Sequence, residues 1–303
     1  MNGKNEKKKS MMSGWDWAFV ICNTTFLVLF CVVTLYPILN TLAVSFNDGL
    51  DAVKGGIHLI PRKFSLRAYD AVIHKQGLQQ GAIVTVARTV IGTLLALVAN
   101  ALLAFVVSRR RFLFRSSLSF FWVVTMYASG GMIPGLILMK NLHLTNTFLV
   151  YIIPGLVSAF NVLVLRTYME SLPDSYEESA QLDGAGYMRI FVSIISPLCK
   201  PVYATVALFV AVGHWNSWFD AMLYNRNRTE LTTLQYELQK YLNSVMQTQG
   251  NTSSSGKTSS SSQVTPVTVR AAASIVTMLP IIMLYPFLQR YFVTGLTIGG
   301  VKE

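Results

Sequence analysis

The chain has 303 residues, of which 52% are hydrophobic and only 13% charged, with a formal net charge of +11. That charged share is about half of what soluble domains carry, so the composition moves the class from soluble enzymes toward membrane proteins. The excess of Lys and Arg would also suit a nucleic-acid binder, and where those charges fall decides the matter.

Residues 1–16 form a basic N-terminus, with Lys4, Lys7, Lys8 and Lys9. The apolar stretch after them is longer than a signal-peptide core and has no small-residue cleavage site behind it, so it reads as a retained span. Six gaps hold no Asp, Glu, Lys or Arg and are rich in Leu, Val, Ile, Phe and Ala: 17–47, 89–108, 116–139, 141–165, 201–219 and 271–289. A helix needs about 20 such residues to cross the hydrocarbon layer. The expected fold is therefore an all-α polytopic membrane protein whose six-helix domain fills 17–303. Its spans lie at about 17–40, 82–108, 116–139, 145–165, 201–222 and 271–291.

The short loops orient the spans. Arg109, Arg110, Arg111 and Arg115 crowd the loop between the second and third, whereas only Lys140 and His143 mark the turn between the third and fourth. Positive loops stay in the cytoplasm, which puts both termini and residues 166–200 inside, and residues 48–80 and 223–270 outside. Topology thus accounts for the positive charge, and nucleic acid drops out as a partner. Arg88 is the awkward residue, about two turns into the second span, where a charge near the membrane centre costs about 2.5–3.5 kcal/mol. It either snorkels to the outer surface, the simpler reading, or faces a polar pathway between helices.

The 166–200 segment is longer than a connection requires, and its first half is acidic: Glu170, Asp174, Glu177, Glu178 and Asp183. Pro173 disfavours helix before it, and Ser175 with Glu178 has the spacing of a capping box. These signals predict a helix from Tyr176 to about Leu182, ended by Gly184 in the left-handed conformation. A second helical stretch carries Ile190, Phe191, Ile194 and Ile195 until Pro197 interrupts it. Ala180 and Gly184 keep one face shallow.

This segment resembles the EAA loop of permease subunits in binding-protein-dependent ABC importers. That pattern reads Glu-Ala-Ala, three residues, Gly, nine residues, Ile, one residue, Leu-Pro, and Glu178, Ser179, Ala180, Gly184, Ile194 and Pro197 stand at its positions. Ser179 and Ser196 depart from it without altering the spacing. The resemblance extends over most of the chain. LLAFVVSRRRFLFR is similar to the end of the family's second helix. SGGMIPGLILMKNLHLTNT, HWNSWFDAMLY and the closing GLTIGGVKE look like the carbohydrate-uptake branch related to the maltose permease, closest to its subgroup for oligosaccharides from complex polysaccharides.

The resemblance implies half of a pore, completed by a second, homologous permease subunit, in a bacterial cytoplasmic membrane. Two cytoplasmic ATPase subunits would each take one EAA loop into a cleft, and an extracytoplasmic sugar-binding lipoprotein would deliver the cargo. ATP and Mg would then be bound by the partner ATPase, leaving this chain without cofactor, metal or catalytic residues. Glu178, Ser179, Ala180, Asp183, Gly184, Ile194 and Pro197 would form the coupling site, with Glu178 either meeting a basic group on the ATPase or serving only as a cap. The stretch GNTSSSGKTSSSS is no phosphate loop. That motif needs four residues between its glycines, and five separate Gly250 from Gly256. It reads as a flexible Ser-rich loop.

On the outer side, Thr232 to Tyr241 is expected to be a short amphipathic helix. His214, Trp215, Asn216, Trp218 and Asp220 cluster at the end of the fifth span, either as an interfacial aromatic belt or facing a sugar. Asn161, in the fourth span, suits a helix–helix hydrogen bond or a pore lining. With Arg88, the residues Asn161, Trp215, Asn216, Trp218 and Asp220 are the substrate-pathway candidates. Three other readings stay open: the same machine for a non-sugar solute, an ATP-independent transporter, and a membrane scaffold. The uncharged spans lack the intramembrane acids an ion-coupled carrier uses.

Overall fold

The computed structural model describes residues 14–74, 76–128, 130–252 and 264–298. The lysines of the N-terminus, most of the Ser-rich stretch and the end of the GLTIGGVKE motif lie outside the described residues. The described residues are helical and hold no strand beyond an isolated bridge between Asn47 and Phe64. In chain order the first helices are α1 (Gly14–Ser45), α2 (Gly49–Ala52), α3 (Arg67–Ile73), α4 (Gln76–Ser108), α5 (Arg115–Tyr127) and α6 (Met132–Asn141). After two 3-10 turns over 148–155 come α7 (Ala159–Glu170), α8 (Ser175–Leu182), α9 (Tyr187–Ile190), α10 (Ser196–Leu198) and α11 (Lys200–Asn216). The last are α12 (Phe219–Tyr224), α13 (Leu234–Thr252) and α14 (Pro266–Ile298).

The chain divides into two compact units, one of residues 1–69 with 259–275 and one of 70–258 with 276–303. In the first unit α1 is apolar along its length and exposed over residues 15–39, as suits a surface that lipid or another helix covers. The loop after it is well tied. Asn40 Nδ2 donates to the Ile57 carbonyl at 2.7 Å, Asp48 Oδ1 accepts the Leu50 N–H at 3.1 Å as the cap of α2, and Phe46 stacks on Phe64 at 5.6 Å. Asp51 receives Asn47 Nδ2 at 3.1 Å and Arg62 Nε at 3.0 Å. The Asn47 bond first, and the Arg62 charge after it, hold the Asp51 carboxyl below its ordinary value even against burial.

In the second unit α4 is the spine, against which α7, α11 and α13 pack. Its small residues make that approach close. Ala101 and Ala104 are buried with Phe105, Val162, Leu165, Met169, Ile195, Cys199 and Val206 in one core. A methyl group on Gly92 would sit 2.5 Å from His214 Nε2, so only glycine lets α11 come this near without displacing that ring.

Among the described residues, three helices are by themselves long and apolar enough to cross a membrane: Trp15–Ser45, Gly77–Ser108 and Pro266–Met283. Three bent pairs bring the number to six if each pair is one span. They are α5 with α6 (116°), the 148–155 turns with α7 (49°), and the run Tyr187–Leu198 with α11 (81°). Continuous helices are expected over 116–139, 145–165 and 201–222. The first two contain a bend, whereas the third bend lies at Cys199, just before its span, and that span is interrupted instead at residues 217–218 between α11 and α12. Pro154, Pro197 and Pro201 each stand in the first turn of a helical segment, where a proline can start a helix but not continue the one before it, and the break between α5 and α6 has Gly131 at φ +87° instead. Asn100 repairs one break from the side. Its Nδ2 donates to the Leu156 carbonyl at 2.9 Å and its Oδ1 accepts the Ser158 N–H at 2.9 Å. Broken helices persist in a membrane only where such groups are satisfied.

Candidate functional site

The acidic segment between α7 and α11 builds the first site. Helix α8 ends as expected at Leu182, and Gly184 turns the chain with φ +75°, a conformation that suits glycine. The capping box does not form. Asp174 is the N-cap, its side chain caps nothing, and Ser175 is already helical. The neighbouring acids are held from outside the helix: Asp174 pairs with Arg110 at 3.4 Å and Glu177 with Arg109. Glu178 is left exposed and, among the described residues, without an ion-pair partner. The second stretch is less regular than its spacing suggested. It runs through α9, a π-helical turn over Phe191–Ile195 and α10, and it breaks at Cys199, two residues beyond Pro197.

One side of this segment is buried and the other bare. Ala180 packs in the α4–α7 core, and Phe191 meets Phe105 of α4 at 5.1 Å between ring centres. Ile194 packs against the same core, whereas Ser179, Asp183, Gly184 and Pro197 are exposed and Leu182 is 89% exposed at the tip. The sequence had assigned Arg109–Arg115 only to topology, but the structure folds them onto the acids. Besides Arg109–Glu177 and Arg110–Asp174, Arg115 pairs with Glu170 at 3.2 Å, and Arg166 Nε reaches the same carboxylate at 2.8 Å. Arg109 also lies over the Phe105 ring at 4.9 Å. A cavity of about 450 Å³ remains between the two segments, and Arg111 and Glu178 are in its wall. The opposite charge of the two segments was the signal that could have paired them.

The substrate-pathway candidates do not form one site. Arg88 does not snorkel. It is 2% exposed, donates from Nη1 to Asp220 Oδ1 at 3.2 Å and from Nη2 to Oδ2 at 2.5 Å, and lies over the Tyr151 ring at 4.4 Å. A carboxylate within reach makes burial of the cation less costly than extension to the surface, because the fork matches the two oxygens. These three residues share a cavity of about 300 Å³ with His214. Trp215 is tied by its Nε1, which donates to the Thr277 carbonyl at 2.9 Å. Asn161 is buried in the first turn of α7, and Asn216 and Trp218 are exposed. The amphipathic helix expected over Thr232–Tyr241 is present as the longer α13.

The described residues thus form a strandless helical fold with long apolar helices, three bent helix pairs and an exposed helix-and-turn. Residues 88–298 match the family described as binding-protein-dependent transport system inner membrane component, and the chain belongs to that family. It is 35% identical over 277 residues to the polygalacturonan/rhamnogalacturonan transport system permease protein YtcP of Bacillus subtilis, covering 91% of this chain and 96% of that one. It is 33% identical to LplC of the same organism, over 94% of this chain and 95% of that protein. In structure it resembles a chain of a bacterial ABC transporter involved in the import of the acidic polysaccharide alginate. The TM-score is 0.82 at 30% identity, over 93% of this chain and 99% of the other.

Proposed function

We propose that this chain is one half of the translocation pore of an ATP-driven importer for a carbohydrate, an oligosaccharide in the first instance, and that residues 178–197 couple it to cytoplasmic ATPase subunits. One observation carries the reading: α8 and its Gly184 turn present an exposed tip while Ala180 and Phe191 lock the same segment into the α4–α7 core. A rigid tip moved by a partner must therefore move the spans. In this reading the chain crosses six times, with both termini, 109–115 and 166–200 in the cytoplasm and 223–270 outside. A second, homologous permease completes the pore, and an extracytoplasmic binding protein delivers the sugar. Two ATPase subunits bind ATP and Mg, and this chain holds neither. Glu178, freed from capping, is available to a basic group on the ATPase, while Ser179, Asp183 and Gly184 give a shallow contact. Ile194 and Pro197 join that contact to α11. The saccharide assignment rests on the relatives, whose names include polygalacturonan and alginate transport.

The test is ATP hydrolysis by the whole complex in lipid, with binding protein and a panel of oligosaccharides. Wild type is stimulated by one of them, whereas Glu178→Ala with Gly184→Asp loses that stimulation while the chain still inserts. An altered loop that couples normally would overturn the assignment.

A further inference from the structure

A groove of about 520 Å³ lies between α12 and α13, shares no lining residue with the two cavities above, and falls within the roughly 300–1,000 Å³ of small-ligand sites. Tyr236, Gln239, Lys240 and Asn243 line one wall at a spacing that puts them on a single face of α13. The other face of that helix is anchored by Leu234 and Leu238, both buried. Trp218, Met222 and Arg226 line the opposite wall, four residues apart along α12 and just past it. The groove thus combines two aromatic rings, two amides and two cations, with no carboxylate in its lining. Lys240 lies 4.7 Å over the Tyr236 ring and is partly neutralised by Glu237. Arg226 is exposed and has no ion-pair partner among the described residues.

We propose that this groove is a binding subsite for a carboxylate-bearing saccharide, a uronate residue of an oligosaccharide, and this rests on the carbohydrate reading above. The chemistry divides between the walls. Trp218 and Tyr236 offer apolar ring faces against which the C–H face of a pyranose packs, as aromatic side chains with a polar edge do at wet interfaces. Gln239 and Asn243 supply both donors and acceptors for hydroxyls. Arg226 presents the planar fork that matches a carboxylate, with Lys240 as a second charge. A neutral sugar would use the rings and amides alone. A uronate would use all six, so the groove discriminates by charge.

The measurement is saccharide-stimulated import by the complete reconstituted complex, using oligogalacturonate and the same chain with its carboxyls methyl-esterified. Arg226→Gln is expected to raise the apparent KM for the charged probe about tenfold, the loss typical of a charge-assisted bond, with the maximal rate unchanged. Arg226→Lys should recover part of that loss, and the esterified probe should be indifferent to both changes. Trp218→Ala should weaken both probes. If Arg226→Gln with Lys240→Gln leaves the charged probe unaffected while import proceeds, the subsite is wrong and the saccharide importer stands. If wild type imports no saccharide of either kind, the parent reading fails and the subsite with it. Docking of sugar-free binding protein is measured in parallel. If the variants weaken that docking alone, the groove is a protein contact and the proposal is overturned.

Discussion

At the residue scale, Arg88 and Asp220 show why a charge inside a span has to be judged by its partner. The insertion cost that favoured snorkelling assumes a lone cation in hydrocarbon, whereas here a bidentate carboxylate and the Tyr151 face replace water. Removing one partner is then worse than removing both. Asp220→Asn should destabilise the solubilised chain by about 3–5 kcal/mol, since a buried guanidinium is left uncompensated. Arg88→Met with Asp220→Leu should recover most of that loss. Thermal unfolding in detergent decides it, and equal losses in the single and double variants would mean that the pair does not act as a unit. The partner was hard to read because Asp220 is 132 positions away along the chain. Both residues were legible as candidates, and their contact was not.

At the element scale, α8 was readable because its grammar is local: a proline before it, acids in its first turn, a glycine after it. Its start falls one residue before Tyr176, and its acids Asp174 and Glu177 are engaged from outside the helix by Arg110 and Arg109, pairings no local pattern records. That clasp has a mechanical consequence. It fixes α8 to the end of α4, so a push on the tip reaches α4 through charge as well as through Ala180 and Phe191. Arg109→Glu should lower saccharide-stimulated ATP hydrolysis several-fold by setting two acids against each other. Arg109→Glu with Glu177→Arg should restore it in part, because the pair is rebuilt in reverse. Arg109 also contacts Ser108 and the Phe105 face, so full recovery is not expected. A double variant no better than the single one would show that the loop and α8 communicate without the ion pair.

At the scale of the whole molecule, charge-free gaps located the apolar regions, since an absence of charge is a property of any chain buried in lipid. They could not distinguish one straight helix from two at an angle. Prolines, Gly131 and the hydrogen bonds of Asn100 mark the breaks, and a map of charged residues registers none of them. The count of crossings therefore rests on the bent pairs. If they cross, Lys140, between the third and fourth spans, lies on the opposite side from Arg111. If only the three long helices cross, the whole stretch from 109 to 265 stays on one side and the two positions share it. In a background with Cys22, Cys31 and Cys199 replaced, Lys140→Cys should react with a membrane-impermeant maleimide added to intact cells, as should Arg228→Cys. Arg111→Cys should react only after permeabilisation. Equal labelling at positions 111 and 140 would reduce the protein to three crossings and overturn the proposed placement of both termini on one side, since an odd number of crossings puts them on opposite sides.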